Sequence, residues 1–209
     1  MPLLVTILSL ICFPVAAQIA NQKIEFDIYL NDTKVGQQGV TITATETGEK
    51  VVIESEFTIK VLFVNVFSYQ HTAREDWRDS CLNSIESNTK ETGDKFFVAS
   101  KKTNQGLSIT SNSGTADLQG CVRSFAYWDL ARLDSEKLLN GQTGKYVPAT
   151  LVANGEENFL LDNKEIRASR YTLTAENSDI NLWYDQNQNW VGLTTLVNGG
   201  RTLSYRLRR

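Results

Sequence analysis

The chain has 209 residues, 41% of them hydrophobic, only three prolines and a formal net charge of −3. A balance so close to neutral excludes the basic stripe that a nucleic-acid partner or an anionic membrane surface calls for. The apolar content excludes a disordered chain.

The first residues point to export. Leu3 to Ala17 carry no charge, are rich in Leu, Ile and Val, and end in Val15-Ala16-Ala17. Small residues at the last and third-last positions are what a signal peptidase accepts. A membrane-spanning helix needs about 20 apolar residues, more than this run supplies. The reading is a signal peptide over 1–17, or over 1–20 if cleavage follows Gln18-Ile19-Ala20. A single antiparallel β domain over 18–209 then follows, periplasmic or secreted, with no transmembrane segment after signal removal. No Lys or Arg precedes the apolar run, which departs from the usual pattern. Cys12 follows Ile11 inside the run, whereas a lipidated cysteine follows a small residue, so Cys12 leaves with the signal.

Beyond the signal, period-two alternation dominates. Ile24, Phe26, Ile28 and Leu30 alternate with Glu25, Asp27 and Tyr29. Ile53, Phe57, Ile59 and Val61 alternate with Glu54, Glu56, Thr58 and Lys60, and Leu203, Tyr205 and Leu207 with Ser204, Arg206 and Arg208. Such patterns describe strands with one buried and one wet face. Asn31-Asp32-Thr33 matches a glycosylation sequon, but turn composition explains it. In Val61 to Phe67 the alternation fails and both faces become apolar. This is either a strand buried on both sides or a hydrophobic lip over a cavity, even a membrane-touching tip.

His71 is the only histidine, so any Ser-His-Asp triad would have to use it. Glu75, Asp76 and Asp79 lie nearby, but residues four apart on a strand sit about 13 Å apart, too far to share a metal. A hydrogen-bonded histidine on a sheet face fits better, and neither a catalytic nor a metal site is assigned. Cys81 and Cys121 remain once the signal is gone. Outside the cytoplasm such a pair tends to oxidise, and the spacing of 40 is not the Cys-x-x-Cys of a redox motif. A structural disulfide is expected, worth roughly 4 kcal/mol by chain entropy.

Cys121 opens an aromatic stretch that runs through Phe125, Tyr127 and Trp128 to Asp129; Trp183-Tyr184 and Trp190 form a second. These rings suit a plain core or the wall of a ligand pocket. Asp129 to Leu139 is the one expected helix, with Ser135 capping its second half. Asn154-Gly155, Asp162-Asn163, Gly93-Asp94 and Gly199-Gly200 are hairpin-turn signals, and Asp185 to Asn189 is a polar loop. About a dozen strands follow from these patterns. The fold class is therefore all-β: a large curved antiparallel sheet, half-barrel or barrel-like, with at most one short helix. Carboxylate pairs such as Glu156-Glu157 look solvated, and no glycine-rich phosphate loop is present.

Several phrases are shared with a known family: Trp77-Arg78-Asp79-Ser80-Cys81, Gly120-Cys121-Val122 leading into Ser124-Phe125-Ala126-Tyr127-Trp128, Asn140-Gly141-Gln142-Thr143-Gly144, Arg170-Tyr171, and Asp179 to Tyr184. From about Phe26 to Leu207 the chain resembles a bacterial family of exported proteins known only as a domain of unknown function. The resemblance implies an exported curved antiparallel sheet and supplies no catalytic residues. The architecture is also similar to periplasmic half-barrel lipid or lipoprotein carriers.

The functional expectation is a non-enzymatic protein that binds an apolar or amphipathic ligand, such as a lipid, inside the curled sheet. Phe63, Phe67, Phe125, Tyr127, Trp128 and Trp183 are the candidate pocket residues, and no cofactor is implied. The alternative is a structural module with a packed core that binds an envelope protein; a hydrolase ranks third.

Overall fold

The computed structural model describes residues 21–61, 64–197 and 199–208; the expected signal peptide, residues 1–17 or 1–20, lies outside them. Fourteen strands form among the described residues: β1 (Asn21–Leu30), β2 (Thr33–Thr45), β3 (Gly48–Val61), β4 (Val64–Arg78), β5 (Cys81–Glu91), β6 (Asp94–Lys102), β7 (Gly106–Ser111), β8 (Gly114–Gln119), β9 (Lys137–Leu139), β10 (Tyr146–Leu161), β11 (Lys164–Ala175), β12 (Ser178–Asp185), β13 (Trp190–Val197) and β14 (Arg201–Leu207). They make one antiparallel sheet in the order β8-β7-β6-β5-β4-β3-β2-β1-β14-β13-β12-β11-β10-β9. Each strand pairs with its chain neighbours, save that β8 and β9 do not pair. The one pairing between strands distant in the chain is β1 with β14, whose register sets Phe26 against Leu207 and Ile28 against Tyr205. The first and last strands thus meet mid-sheet, and the edges are β8 and β9, which do not pair with each other.

The alternation read from the sequence sets the inner face. Phe26 and Ile28 of β1, Val40 of β2, Val51 of β3, Trp77 of β4, Leu107 and Ile109 of β7, Leu173 of β11 and Leu182 of β12 are almost fully buried. All of these except Ile28 belong to one cluster. Strands so far apart in sheet order share a core only because the sheet curls on itself.

The open seam between β8 and β9 is spanned by the connection Gly120–Glu136, which runs through the interior. Its Val122 and Ala126 are buried in the core with Leu133. The Leu82 amide donates to the Val122 carbonyl and the Leu139 amide to that of Arg123, so the segment is stitched to both halves of the sheet. The expected helix shrinks to one turn, α1 (Leu130–Leu133), capped by Asp129, which accepts from the Ala131 amide. Ser135 caps nothing, because Lys137–Leu139 is strand β9 pairing with Tyr146–Pro148.

Two further local expectations change. Asn154-Gly155 is not a hairpin turn. Gly155, at φ 88°, sits at an irregularity inside β10 where the register with β11 shifts, so its left-handed conformation serves a bulge. The turn that joins β10 to β11 is Asp162-Asn163, both at positive φ. The far end of this hairpin lies across the outside of the sheet: the Phe159 ring from β10 covers Gly192 of β13, where a Cβ would come within 2.5 Å of it.

The described end of the Val61–Phe67 run, Asn65 to Phe67, is not buried on both sides either. It lies in β4 near the β3–β4 tip, where β3 beyond Phe57 has no partner in β2 and β4 before Tyr69 has none in β5. Val66 is 48% exposed there, and Phe57 stacks on Phe67 and Tyr69.

Candidate functional site

On β4 the side chains of Tyr69, His71, Ala73, Glu75 and Trp77 alternate onto the inner face. They look at the crossing segment, which meets them with Ser124, Phe125, Tyr127 and Trp128. Between the two lies a cavity of about 390 Å³. Trp190 of β13 and Tyr205 of β14 complete an aromatic wall, and the Asn140–Gln142 turn, Glu176 and Leu196 stand at its edge. The chain holds these rings in place through neighbouring contacts: Tyr127 lies 5.6 Å from Trp190 and 6.1 Å from Phe125, and the Tyr184 hydroxyl donates to the Tyr127 carbonyl.

The Asn140–Gln142 turn is itself pinned inside the sheet. The Ser87 hydroxyl donates to the Gly141 carbonyl. The Tyr69 hydroxyl donates to Gln142 Oε1, and Gln142 Nε2 donates to Glu91. Asn140 Nδ2 donates to Glu176. One cluster of side chains thus holds the turn against β4, β5 and the β11–β12 turn.

At the cavity floor a carboxylate is fully enclosed. Trp77 Nε1 donates to Glu75 Oε2 at 2.8 Å, and the Ser124 hydroxyl to Oε1 at 3.0 Å. Burial pushes the Glu75 carboxyl up to about 7, against the pull of those two donors and of Arg132. Arg132 lies behind the floor, 4.3 Å over the Trp77 ring, paired with Glu49 and Asp129. His71 Nδ1 shares a hydrogen bond with Thr89 Oγ1 at 2.8 Å, and burial lowers its imidazole to about 4. Burial likewise raises the Tyr69 and Tyr127 phenols and carries that of Tyr205 to about 12. Trp128 Nε1 is buried without a hydrogen-bond partner among the described residues.

Of the pocket residues named from the sequence, Phe125, Tyr127 and Trp128 line this cavity. Phe67 does not; it stacks on Phe57 at the β3–β4 tip. Trp183 sits on the opposite face, packed against Phe159 and donating to Glu157, because it alternates with the inward-facing Leu182 and Tyr184. Phe63 lies outside the described residues. Cys81 and Cys121 are disulfide-bonded. No group of three or more His, Cys, Asp or Glu side chains is placed to hold a metal among the described residues, and no helix there is long and apolar enough to cross a membrane.

The sequence profile of DUF6134, a domain of unknown function, matches residues 26–208. The chain belongs to this family. No curated protein matches it in sequence. In fold, this DUF6134 chain is similar to the crystal structure of a β-barrel-like protein of another domain of unknown function, DUF1849, from Brucella abortus. The TM-score is 0.64 at 10% identity, over 91% of this chain and 96% of the other. Likeness at that identity shows a shared architecture alone.

Sequence reasoning alone missed Tyr69, Glu75 and Tyr205 as cavity residues of the DUF6134 fold. Alternation placed Tyr205 on an inner face, but only the curl of the sheet sets β4 opposite β14. Glu75 was weighed as a partner for His71, whereas its partners are Trp77 and Ser124.

Glu75 and His71 make a testable pair. Glu75 titrates higher folded than its ordinary 4.5, so its contribution to stability is whole below about pH 4.5 and is lost as pH rises through about 7. His71 titrates lower folded than its ordinary 6.5, so its contribution is whole above 6.5 and is lost as pH falls through about 4. The two slopes oppose each other between about pH 4.5 and 6.5. Glu75→Gln keeps the Trp77 bond on its Oε1, lets its Nε2 donate to the Ser124 hydroxyl in place of accepting from it, and removes one slope. Urea unfolding of variant and wild type across this range should show the variant gaining about 3 kcal/mol relative to wild type from pH 4 to 8. A pH-independent difference would show that Glu75 does not titrate in this range.

Proposed function

We propose that the protein binds a small amphipathic molecule, without chemistry, in the cavity between β4 and the crossing segment, and does so in the periplasm or outside the cell. The observation that carries this reading is the cavity itself. Its volume of about 390 Å³ lies within the roughly 300–1,000 Å³ of small-molecule sites, and like them it combines aromatic and aliphatic walls with converging polar groups, among them Ser124, Gln142 and Glu75. The partnerless indole N–H of Trp128 adds a demand for an acceptor, since a buried donor left unpaired costs about 1–3 kcal/mol. The disulfide supports the compartment, because such bonds persist where the surroundings oxidise. His71 supports a binding role over hydrolysis: its Nδ1 faces a threonine hydroxyl, not the carboxylate that would orient a catalytic base.

The test is binding of the neutral dye Nile red, read as fluorescence enhancement. Wild type should bind it. Ile180→Trp, which fills the cavity from β12, should abolish binding with little change in melting temperature. Leu160→Trp, at a position 63% exposed, should leave binding intact. Wild type that gives no enhancement, with a mass free of any co-purifying small molecule, would overturn the binding reading in favour of an envelope interaction module.

A further inference from the structure

The charges around the cavity say what kind of head group it would accept. Two lining residues can carry a negative charge, Glu75 at the floor and Glu176 at the edge, and no Lys or Arg lines it among the described residues. Arg132, behind the floor, is already committed to Glu49, Asp129 and the Trp77 face. Six aromatic residues, Tyr69, Phe125, Tyr127, Trp128, Trp190 and Tyr205, line the cavity beside aliphatic, amide and hydroxyl side chains.

From this we infer that the cavity selects an organic ammonium, a quaternary one above all, and discriminates against a free carboxylate. A cation within about 6 Å of ring centroids is attracted by the negative faces of the rings, more strongly where water is excluded. Neighbouring rings at 5.6 and 6.1 Å are spaced so that one cation can lie within that reach of several. A quaternary ammonium has no N–H to leave unpaired. A carboxylate entering the same space would lose its hydration and approach two acidic side chains with no Lys or Arg to offset the cost. The Trp128 N–H is served by a neutral acceptor such as a hydroxyl or an ester, so it does not call for an anion. The inference rests on the cavity being a binding site, and it deepens that reading by naming the charge of the ligand.

The experiment displaces Nile red from the wild-type protein with decyltrimethylammonium and with decanoate, two amphiphiles of equal chain length, both below their micelle-forming concentrations. The ammonium should displace the dye at about tenfold lower concentration. Glu176→Gln, an exposed position whose amide can keep the bond from Asn140, should narrow that preference severalfold, the ratio of the two competitors being read against the variant's own dye affinity. Decanoate competing as well as or better than the ammonium, with dye bound normally, would overturn the ammonium inference and leave the binding site standing. Failure of the wild type to bind dye at all would instead remove the binding site, and this inference with it.

Discussion

Replacing Cys81 and Cys121 together by serine should lower the unfolding free energy by about 4 kcal/mol, the value chain entropy assigns to a loop of this length. The bond spans a sequence separation of 40 and joins the first residue of β5 to the start of the crossing segment. Next to it the Leu82 amide bonds the Val122 carbonyl, so the covalent link and the backbone bond hold the same junction. Breaking the link enlarges the unfolded ensemble and frees the end of the segment that fills the seam between β8 and β9. Urea unfolding of the double variant, and of wild type kept in reductant, should show the same loss. Unfolding curves that superimpose on the oxidised wild type would show that the staple contributes nothing.

The second large effect belongs to Trp77. Its side chain is almost wholly buried. It packs edge-on to Trp128, lies beneath the Arg132 guanidinium and donates to Glu75. Trp77→Ala should cost about 5 kcal/mol, the upper end for a large-to-small aromatic change, because a cavity opens and the Glu75 carboxyl loses a donor. Trp77→Phe keeps most of the ring and loses only the donor, so about 2 kcal/mol is expected. Chemical denaturation of both variants separates packing from hydrogen bonding. Equal losses would mean that the ring volume is not what matters, and that the bond to Glu75 carries the effect.

How much of this was legible in the sequence varies by element. Alternation in β1, β3 and β14 revealed strands and their inner faces, because burial on a pleated sheet has a period of two whatever the neighbours are. Asp162-Asn163 marked a turn for a similar reason: both residues tolerate positive φ. Asn154-Gly155 carried the same signal and became a bulge, since the strand pairing on either side continues past it. Asp129 to Leu139 read as a helix from its leucine spacing, yet Leu138 and Leu139 are drawn into β9 by pairing with β10, a contact distant from any local propensity.

The cavity divides along the same line. Phe125, Tyr127 and Trp128 could be picked out as aromatics in one stretch, whereas Trp183 stands on the far face from Tyr184 by a single residue of register. Tyr69, Glu75 and Tyr205 come from strands that meet only across the curled sheet.

By itself, then, the sequence determined an all-β antiparallel sheet with its inward faces and the cysteine pair that staples it, because each of these depends on local periodicity or on residue chemistry. Only the tertiary structure decided where the sheet opens, that Gly120–Glu136 crosses its interior, and which inward side chains face one another over an unfilled space. These depend on long-range strand order and curvature, and no local pattern encodes the distance between β4, the crossing segment and β14.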